Sequence, residues 1–265
     1  MRIGIILSGG TGIRIGGDIP KQYIEVGGRT IFSYAAETVA KCVDRIQVVA
    51  AEMWRDKIME DCDGFDKEIC FSEPGLTRQF SIYNALKDIE KYASKDDIVL
   101  IHDAARPLVT TELIERCFTA IEKDGHEGAL PVIPVKDTVY FSMDGISITS
   151  LLDRAKLYAG QAPEAFKFGK YLNANEKLIM RTWEAGGDLI VNPASDIFKI
   201  TGSTEPAKLA GMDVVMVQGD EHNYKITTLE DLRRFTEEMN AGLKNDRYER
   251  LFLEKEYTNA ISILS

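Results

Sequence analysis

Residues 1–22 read MRIGIILSGGTGIRIGGDIPKQ, an apolar run that passes directly into a glycine-rich loop. The run over residues 3–8 predicts a buried β-strand, because its apolar residues continue without a polar alternation. Glycines directly after a strand allow backbone N–H groups to approach a chain of phosphates closely. Arg14 and Lys21 add two positive charges near the end of the loop, and Pro20 restricts the backbone just before Lys21. The stretch therefore predicts an α/β protein whose first strand leads into a phosphate-binding loop.

Two common glycine-rich nucleotide motifs do not fit this loop. A P-loop requires Lys followed by Ser or Thr after its last glycine, but Asp18 and Ile19 follow Gly17. A dinucleotide-binding fingerprint requires a third glycine at the position where this chain has Ile15. The loop therefore indicates a phosphate-binding protein outside both of these classes.

Short apolar runs alternate with longer amphipathic ones along the rest of the chain. The predicted strands are residues 3–8, 46–51, 69–72, 98–102, 129–134 and 214–217, and the predicted helices are residues 30–40, 54–61, 77–92, 111–123, 165–176 and 229–240. This alternation predicts a doubly wound, mostly parallel, Rossmann-like sheet with helices on both faces. Ligands of such sheets bind outside the carboxyl ends of the strands, so the residues after each strand are the candidates for chemistry.

One segment interrupts the alternation. Residues 138–140 and 146–151, with Asp144-Gly145 between them, predict a β-hairpin that projects as an arm over about residues 136–156. Residues 1–242 are expected to form one domain, followed by a C-terminal tail extension over residues 243–265.

The composition limits the classes of partner. The chain has 265 residues, of which 45% are hydrophobic, and a formal net charge of −10. A strongly acidic balance disfavours nucleic acid and anionic membranes as partners. The first apolar run is too short for a signal sequence or a membrane span, and the four cysteines form no CxxC pair. We therefore expect a cytoplasmic protein with no nucleic-acid and no membrane partner.

Six ordered segments resemble one branch of the sugar-phosphate nucleotidyltransferases. They are GGTGIR and PKQY within residues 9–23, GLTRQFS at 75–81, IHDAARP at 101–107, PVKDT at 134–138, RAKLYAGQAP at 154–163 and NYKITTLEDL at 223–232. This branch contains the 2-C-methyl-D-erythritol 4-phosphate and D-ribitol-5-phosphate cytidylyltransferases, which join the CMP part of CTP to a polyol phosphate and release pyrophosphate. The resemblance covers about residues 1–241. It implies a nucleotidyltransferase fold, CTP and a polyol phosphate as substrates, and a homodimer formed through the hairpin arm.

The resemblance also implies roles for individual residues. Arg14, Lys21 and Lys225 match catalytic positions that hold the triphosphate and face the reacting phosphate. The positions matched to nucleotide binding are Leu7, Ser8, Gly9, Gly10, Gly12, Gly75, Arg78, Ser81 and Ala104. The positions matched to the polyol phosphate are Asp103, Arg106, Thr138, Arg154 and Thr201. Of these, Thr138 and Arg154 are expected to reach the neighbouring subunit's site, and Asp103 is the candidate ligand of a divalent cation.

The chemistry of this reaction suits these residue types. A phosphate monoester has a second pKa near about 6, so it is already an oxyanion at neutral pH and needs no general base. The barrier comes from bringing two anions together while negative charge grows on the transferred and leaving phosphates. Positioned cations and Mg²⁺, or another divalent cation, are therefore the expected catalysts, with most metal ligands supplied by the phosphates. His102 is then expected to be a packed residue rather than a base.

The acceptor is predicted from small departures within the motifs. Residues 9–12 and Tyr158 resemble the ribitol-5-phosphate enzymes, so D-ribitol 5-phosphate is the first expectation, followed by 2-C-methyl-D-erythritol 4-phosphate and then another polyol phosphate. Ala162 stands where the family usually has Thr, and residues 201–204 lack the acidic residues of the usual T-[DE]-[DE]-[AS] segment. Residues 194–196, Ala-Ser-Asp, resemble that segment but stand at a displaced position. Changes at polar contacts of this kind can redirect substrate specificity.

Two other functional classes stay open. A nucleotide-binding relative without activity would fit the altered residues 201–204, but binding alone would not require Arg14, Lys21 and Lys225 together. A dehydrogenase would bind NAD, which the failed dinucleotide fingerprint disfavours. Titrations with CTP and with NAD separate these two classes.

Overall fold

The computed structural model describes residues 1–10, 19–184 and 202–242, with side chains up to residue 179 in its longest helix. Eight strands of these residues form one sheet: β1 (Arg2–Leu7), β4 (Arg45–Val49), β5 (Glu68–Ser72), β6 (Ile98–Asp103), β7 (Gly128–Pro134), β10 (Tyr158–Gly160), β11 (Glu164–Lys167) and β12 (Val214–Gln218). Two short pairs lie outside it, β2 (Glu25–Val26) with β3 (Arg29–Thr30) and β8 (Val139–Phe141) with β9 (Ser150–Leu152). The helices are α1 (Ile31–Ala40), α2 (Arg55–Asp61), α3 (Arg78–Ile89), α4 (Thr111–Glu122), α5 (Phe168–Glu184), α6 (Thr204–Leu209) and α7 (229–242).

The strand order across the sheet is β5-β4-β1-β6-β11-β7-β12, with β10 paired to β7 beyond the end of β11. The neighbours β5, β4, β1 and β6 pair in parallel, as do β7 and β12. Only β10 and β11 of the described strands in this sheet run antiparallel to the strands beside them. The register of β1 with β6 runs from Arg2 opposite Ile98 to Leu7 opposite Asp103, so the two strands end side by side.

Helices cover both faces of this sheet. Phe118 of α4 belongs to a buried cluster on one face, and Tyr171 of α5 belongs to a second buried cluster on the other. The first strand contributes to both clusters, because the neighbouring residues Ile5 and Ile6 point to opposite faces. A strand buried on both faces needs apolar residues throughout, which explains the uninterrupted run at its position in the sequence. The predicted doubly wound, mostly parallel fold is confirmed.

The six predicted strands and five of the six predicted helices are present. The prediction of a helix over residues 165–176 is wrong in its first part, because residues 164–167 form β11 and the helix begins at Phe168. This strand is hydrogen-bonded on both sides, to β6 and to β7, and Ala165 and Phe166 are fully buried. Tertiary pairing therefore overrides the local helical pattern at this point.

The predicted hairpin arm is present, and its two strands pair with each other. It leaves the sheet after β7, and the chain returns to the sheet in β10, a strand that was not predicted. At its tip the Asp144 carboxylate accepts the backbone N–H groups of Ile146 and Ser147 at 2.9 and 2.7 Å. Gly145 adopts a positive φ of 74°, which a turn of this kind requires. These bonds draw Ile146 and Ser147 into the turn, and the second strand, which begins at Ser150, is shorter than the predicted one.

None of the helices in the described ranges combines the length and the apolar character that a membrane span requires. The tail predicted for residues 243–265 lies outside the described residues.

Candidate active site

A cleft of about 750 Å³ opens at the carboxyl ends of β1 and β6. It is lined by Leu7, Gly9, Gly10, Lys21, Gln22, Val49, Gly75, Leu76, Thr77, Arg78, Ser81, Asp103, Ala104, Ala105 and Lys225. The structure therefore brings most of the predicted site residues to one place, at the edge of the sheet where ligands of this fold bind. Among the described residues, the predicted ones that do not line the cleft are Ser8, Arg106, Thr138 and Arg154. The predictions for Gly12, Arg14 and Thr201 lie outside the described residues.

The start of the glycine loop is anchored by the two side chains that follow Lys21. The Gln22 side-chain amide donates to the carbonyl oxygens of Ser8 and Gly10 at 2.6 and 2.8 Å. The Tyr23 hydroxyl lies 2.9 Å from the hydroxyl of Ser8. All of these groups except Gly10 are buried. Ser8 therefore supports the loop from inside the protein, whereas Gly10 stands at the rim of the cleft.

Two glycines are required by close approach. A Cβ atom on Gly9 would lie 2.7 Å from the Cβ of Pro74, and one on Gly75 would lie 2.6 Å from the carbonyl carbon of Phe80. The N–H group of Gly75 donates to the hydroxyl of Ser81 at 3.0 Å, which ties the loop after β5 to the first turn of α3. These contacts form the wall of the cleft that sequence analysis assigned to the nucleotide.

Asp103 is the centre of a charged cluster at the end of β6. Lys225 donates to its Oδ2 at 2.8 Å, and the Arg78 guanidinium donates to its Oδ1 from Nε and Nη2 at 3.3 and 3.2 Å. Burial by itself raises the pKa of Asp103, but the charges of Arg78 and Lys225 outweigh burial and hold the pKa far below its ordinary range. The carboxylate is therefore ionised at neutral pH and orients two cations that line the cleft.

Lys21 and Lys225 reach the same cleft from distant parts of the chain. The Lys21 ammonium group donates to the carbonyl oxygen of Ile226 at 2.6 Å. Ile226 is fully buried, and its N–H group donates to the carbonyl oxygen of Ala105 at 2.8 Å. The segment after β12 is thus pinned beside the end of β6. Two primary ammonium groups therefore line one cleft, an arrangement suited to a polyphosphate.

Arg106 and His102 lie behind the cluster. Arg106 donates to the carbonyl oxygen of Asn223 at 2.6 Å, and the Nε2 of His102 bonds the carbonyl oxygen of Arg106 at 3.0 Å. Burial lowers the pKa of His102 to about 4, so its imidazole is neutral and, with this bond, its Nε2 carries the proton. His102 is a packed residue that supports the turn after β6, as the sequence analysis expects.

Thr138 and Arg154 lie at the base of the arm, outside the cleft of their own chain. Thr138 is exposed, and the Arg154 guanidinium donates to the carbonyl oxygen of Lys136 at 2.8 Å. The sequence analysis assigned both residues to the site of a neighbouring subunit, and that assignment stays a prediction.

The charged cluster fits a divalent cation that is held mainly by phosphates. In the described ranges, no three His, Cys, Asp or Glu side chains are grouped to hold a metal ion. The Asp103 carboxylate is ionised, and it has about four acceptor positions, more than its bonds to Arg78 and Lys225 require. Asp103 is therefore able to take a metal ion whose other ligands are phosphate oxygens and water.

Gln22 and Glu164 are buried polar residues of this region that were not predicted as site residues. Gln22 could have been found from the sequence, because its polar side-chain amide stands directly between the cationic Lys21 and the aromatic Tyr23. Glu164 lies in the segment whose start was predicted to be helical, so its position in the sheet near Asp103 could not be inferred.

Comparison with known proteins identifies related sequences along most of the chain. The family model for IspD, 2-C-methyl-D-erythritol 4-phosphate cytidylyltransferase, matches residues 3–239. The chain is 36% identical over 247 residues to the bifunctional enzyme IspD/IspF of Granulibacter bethesdensis, a match that covers 92% of this chain and 58% of that protein. It is 34% identical over 234 residues to the 2-C-methyl-D-erythritol 4-phosphate cytidylyltransferase of Rubrobacter xylanophilus, covering 87% of this chain and 91% of the relative.

Solved structures show the same likeness. The 4-diphosphocytidyl-2C-methyl-D-erythritol synthase of Anaerococcus prevotii superposes with a TM-score of 0.71 at 25% identity, covering 90% of this chain and 98% of the other. The 2-C-methyl-D-erythritol 4-phosphate cytidylyltransferase of Francisella tularensis superposes with a TM-score of 0.70 at 25% identity, covering 88% and 97%. The match to the bifunctional relative spans only 58% of its length, so that protein contains a part with no counterpart in the alignment.

Proposed function

The chain belongs to the 2-C-methyl-D-erythritol 4-phosphate cytidylyltransferase family, and we propose that it transfers the CMP part of CTP to a polyol phosphate and releases pyrophosphate. The observation that carries the proposal is the convergence of Lys21, Lys225 and Arg78 at one cleft beside the start of the glycine loop. Three cations at the carboxyl edge of the sheet suit a triphosphate and a second phosphate that must approach each other.

The reaction follows from this arrangement. An oxygen of the acceptor phosphate attacks the α-phosphorus of CTP, and pyrophosphate leaves from the opposite side. Lys21 and Lys225 stabilise the negative charge that develops during the attack. No side chain has to accept a proton, because the acceptor phosphate is largely ionised at neutral pH, its second pKa being about 6. The buried and neutral His102 agrees with this requirement.

A divalent cation fits the same scheme. Asp103 would hold it together with the phosphate oxygens, and the bound ion would offset the negative charge of the triphosphate. Asp103 also orients Lys225 and Arg78, so the residue serves the cluster in both ways.

We propose 2-C-methyl-D-erythritol 4-phosphate as the acceptor. The family model and the relative from Rubrobacter xylanophilus carry this substrate in their names. This support reverses the order of acceptors expected from the sequence. There, D-ribitol 5-phosphate came first because residues 9–12 and Tyr158 resemble the ribitol-5-phosphate enzymes. Tyr158 is 46% exposed and does not line the cleft of its own chain, so within one chain it offers no contact that would select ribitol.

A substrate panel tests both levels of the proposal. Purified protein with CTP and Mg²⁺ is supplied with 2-C-methyl-D-erythritol 4-phosphate, D-ribitol 5-phosphate or a sugar 1-phosphate, and pyrophosphate release is followed. The highest kcat/KM is expected with the methylerythritol substrate. A preference for ribitol 5-phosphate would correct the acceptor alone. Activity only with the sugar 1-phosphate would refute the proposed reaction.

The arm supports a homodimer as the working form. Its exposed apolar side chains are Tyr140, Phe141, Met143, Ile146, Ile148, Leu151 and Leu152. A two-stranded hairpin is marginally stable alone, and an apolar patch of this kind marks a contact surface. A second copy that packs on the arm would cover the patch and bring Thr138 and Arg154 towards the neighbouring site.

A further inference from the structure

A second carboxylate lies behind the wall of the cleft. Glu164 is the first residue of β11, opposite Ile101 of β6, and its side chain is 9% exposed. Its Oε1 lies 3.9 Å from the Nη2 of Arg78, and its Oε2 accepts a hydrogen bond from the Thr204 hydroxyl at 3.1 Å. The reaction proposed above does not use this group. Because a buried carboxylate is costly unless it is paired, its partners indicate what it does.

The start of α6 is organised around the same guanidinium. Ser203 stands at the N-cap position of this helix, but its side chain makes no capping hydrogen bond. A serine at this position usually accepts a backbone N–H group from the first helical turn. Here the Ser203 hydroxyl accepts a hydrogen bond from Nη1 of Arg78 instead. Tyr171 holds the Ser203 backbone in place by donating to its carbonyl oxygen at 2.7 Å.

Arg78 is thus held from two sides. Asp103 engages Nε and Nη2 from the cleft side, while Ser203 engages Nη1 and Glu164 approaches Nη2 from behind. Burial raises the pKa of Glu164, and the positive charge of Arg78 opposes that shift. A guanidinium is a planar fork, so partners on both edges fix its plane as well as its position.

We infer that Glu164 is a positioning residue, which together with the hydroxyls of Ser203 and Thr204 fixes the Arg78 guanidinium for binding the nucleotide. The inference rests on the proposed function, because Arg78 is one of the three cations that are proposed there to meet the phosphates of CTP and of the acceptor. It also accounts for an unusual segment: residues 201–204 lack the acidic residues of the family pattern, and in this chain a carboxylate reaches the segment from β11.

CTP affinity in the presence of Mg²⁺, measured by isothermal titration calorimetry, tests the inference. Glu164→Gln keeps the size of the side chain and removes its charge, and we expect about tenfold weaker CTP binding, the effect of one well-oriented contact. In an Arg78→Met background the same substitution is expected to change the affinity by less than about twofold, because the group it positions is gone. An equal loss in both backgrounds would overturn the inference. Glu205→Gln, which changes an exposed carboxylate next to Thr204 on α6, is the matched control and should bind CTP as the wild type does.

Moving the negative charge from position 164 to position 203 tests whether Glu164 positions Arg78 or has only a structural role. Ser203 already contacts Nη1, so Ser203→Asp in the Glu164→Gln background should restore CTP affinity to within about threefold of the wild type. A double variant as weak as Glu164→Gln would overturn the inference. Thr204→Val removes the hydroxyl that holds Glu164 and is expected to weaken CTP binding about threefold. If Glu164→Gln does not fold, the Thr204→Val variant tests the inference in its place. A Thr204→Val variant that binds CTP as tightly as the wild type would then overturn the inference.

Pyrophosphate release by the wild type distinguishes the two claims. A wild type that binds CTP but releases no pyrophosphate with any polyol phosphate refutes the proposed function, while the affinity series still decides on Glu164. An active wild type whose CTP affinity is unchanged by Glu164→Gln overturns the inference alone. A wild type without CTP affinity overturns both.

Discussion

At the scale of single residues, Asp103 determines how the cations of the cleft are arranged. In the free protein its carboxylate bonds both Lys225 and Arg78 and reduces the repulsion between these two cations. Groups buried together in this way are stable only when each charge has a partner. In the proposed reaction a bound triphosphate would offer the same cations further negative charge, and these cations are already arranged in the free protein.

The two lysines are expected to act mainly on the rate. Lys21→Ala and Lys225→Ala should each lower kcat by roughly 100- to 1,000-fold, the usual effect of losing one donor to a developing charge, while the Kd for CTP changes much less. Steady-state kinetics and CTP titration measure the two quantities separately. Lys123→Ala, an exposed lysine at the end of α4, is the control. A wild-type kcat for either cleft variant would contradict the assigned role.

His102 is expected to make stability depend on pH. Burial lowers its pKa to about 4 in the folded protein, below the ordinary value of 6.5. The unfolded chain therefore binds a proton that the folded protein does not bind between these two values. Protonation of His102 therefore lowers the free energy of unfolding as the pH falls from about 6.5 towards 4, by up to about 3 kcal/mol. Above about pH 6.5 this loss is absent.

Urea unfolding of the wild type and of His102→Gln, between pH 4 and 7, measures this contribution. Gln retains a donor for the carbonyl oxygen of Arg106 but does not titrate. The difference between the two free energies of unfolding should therefore change across this range. A constant difference would show that His102 is not the group responsible.

At the scale of secondary-structure elements, the shape of the cleft depends on the contacts between a loop that follows a strand and the first turn of the next helix. Thr77 caps α3 by accepting the N–H group of Phe80, and the Ser81 hydroxyl accepts from Gly75 one turn further on. The loop after β5 therefore folds back onto the helix that follows it. Residues with side chains larger than hydrogen cannot occupy position 75 without moving this helix start.

Gly75→Ala is expected to lower the free energy of unfolding by about 1–3 kcal/mol, because the added methyl group would overlap backbone atoms of Phe80 and Ser81. It should also weaken CTP binding, since Ser81 has to shift. Gly10→Ala is the control for stability, because a Cβ at that position meets no atom within 4 Å. Chemical unfolding and CTP titration of both variants give the comparison. Equal stability of Gly75→Ala and the wild type would show that the turn accommodates the methyl group.

At the scale of the whole molecule, the sheet topology assembles the site. The strands β1 and β6 are neighbours in the sheet although three helix-containing connections and two other strands of the same sheet separate them in the chain. Their parallel register brings the glycine loop beside Asp103, and the segment after β12 adds Lys225. The apolar side chains of the arm remain exposed in a single chain.

We expect the protein to sediment as a dimer through this arm. Ile146 and Ile148 are 90% and 68% exposed, so Ile146→Asp with Ile148→Asp should produce a monomer whose circular dichroism spectrum is that of the wild type. Met53→Asp, at a side chain that is 79% exposed elsewhere, is expected to stay dimeric. Sedimentation velocity measures all three proteins. A monomeric wild type would show that the arm does not serve dimerisation.

Local patterns in the sequence were sufficient for most of the fold. The apolar run of β1, the alternation of strands and helices and the turn at Asp144-Gly145 all depend on neighbouring residues, so they are readable before the structure is known. The prediction that the first loop binds phosphate is of the same kind, because it rests on glycines and a nearby cation that are adjacent in the chain. The same applies to the six motifs that indicated the enzyme family.

Contacts between distant residues could be decided only by the tertiary structure. Residues 164–167 have a local pattern compatible with a helix, and they become a strand because β6 and β7 supply hydrogen bonds on both sides. That pairing places Glu164 behind Arg78, and the bond of Lys21 to Ile226 brings this lysine to the cleft that Lys225 also lines. Sequence by itself determined which chemical groups this protein has at its strand ends. Which of them touch depended on the register of the sheet and on burial, because those two features set distances between residues that are far apart in the chain.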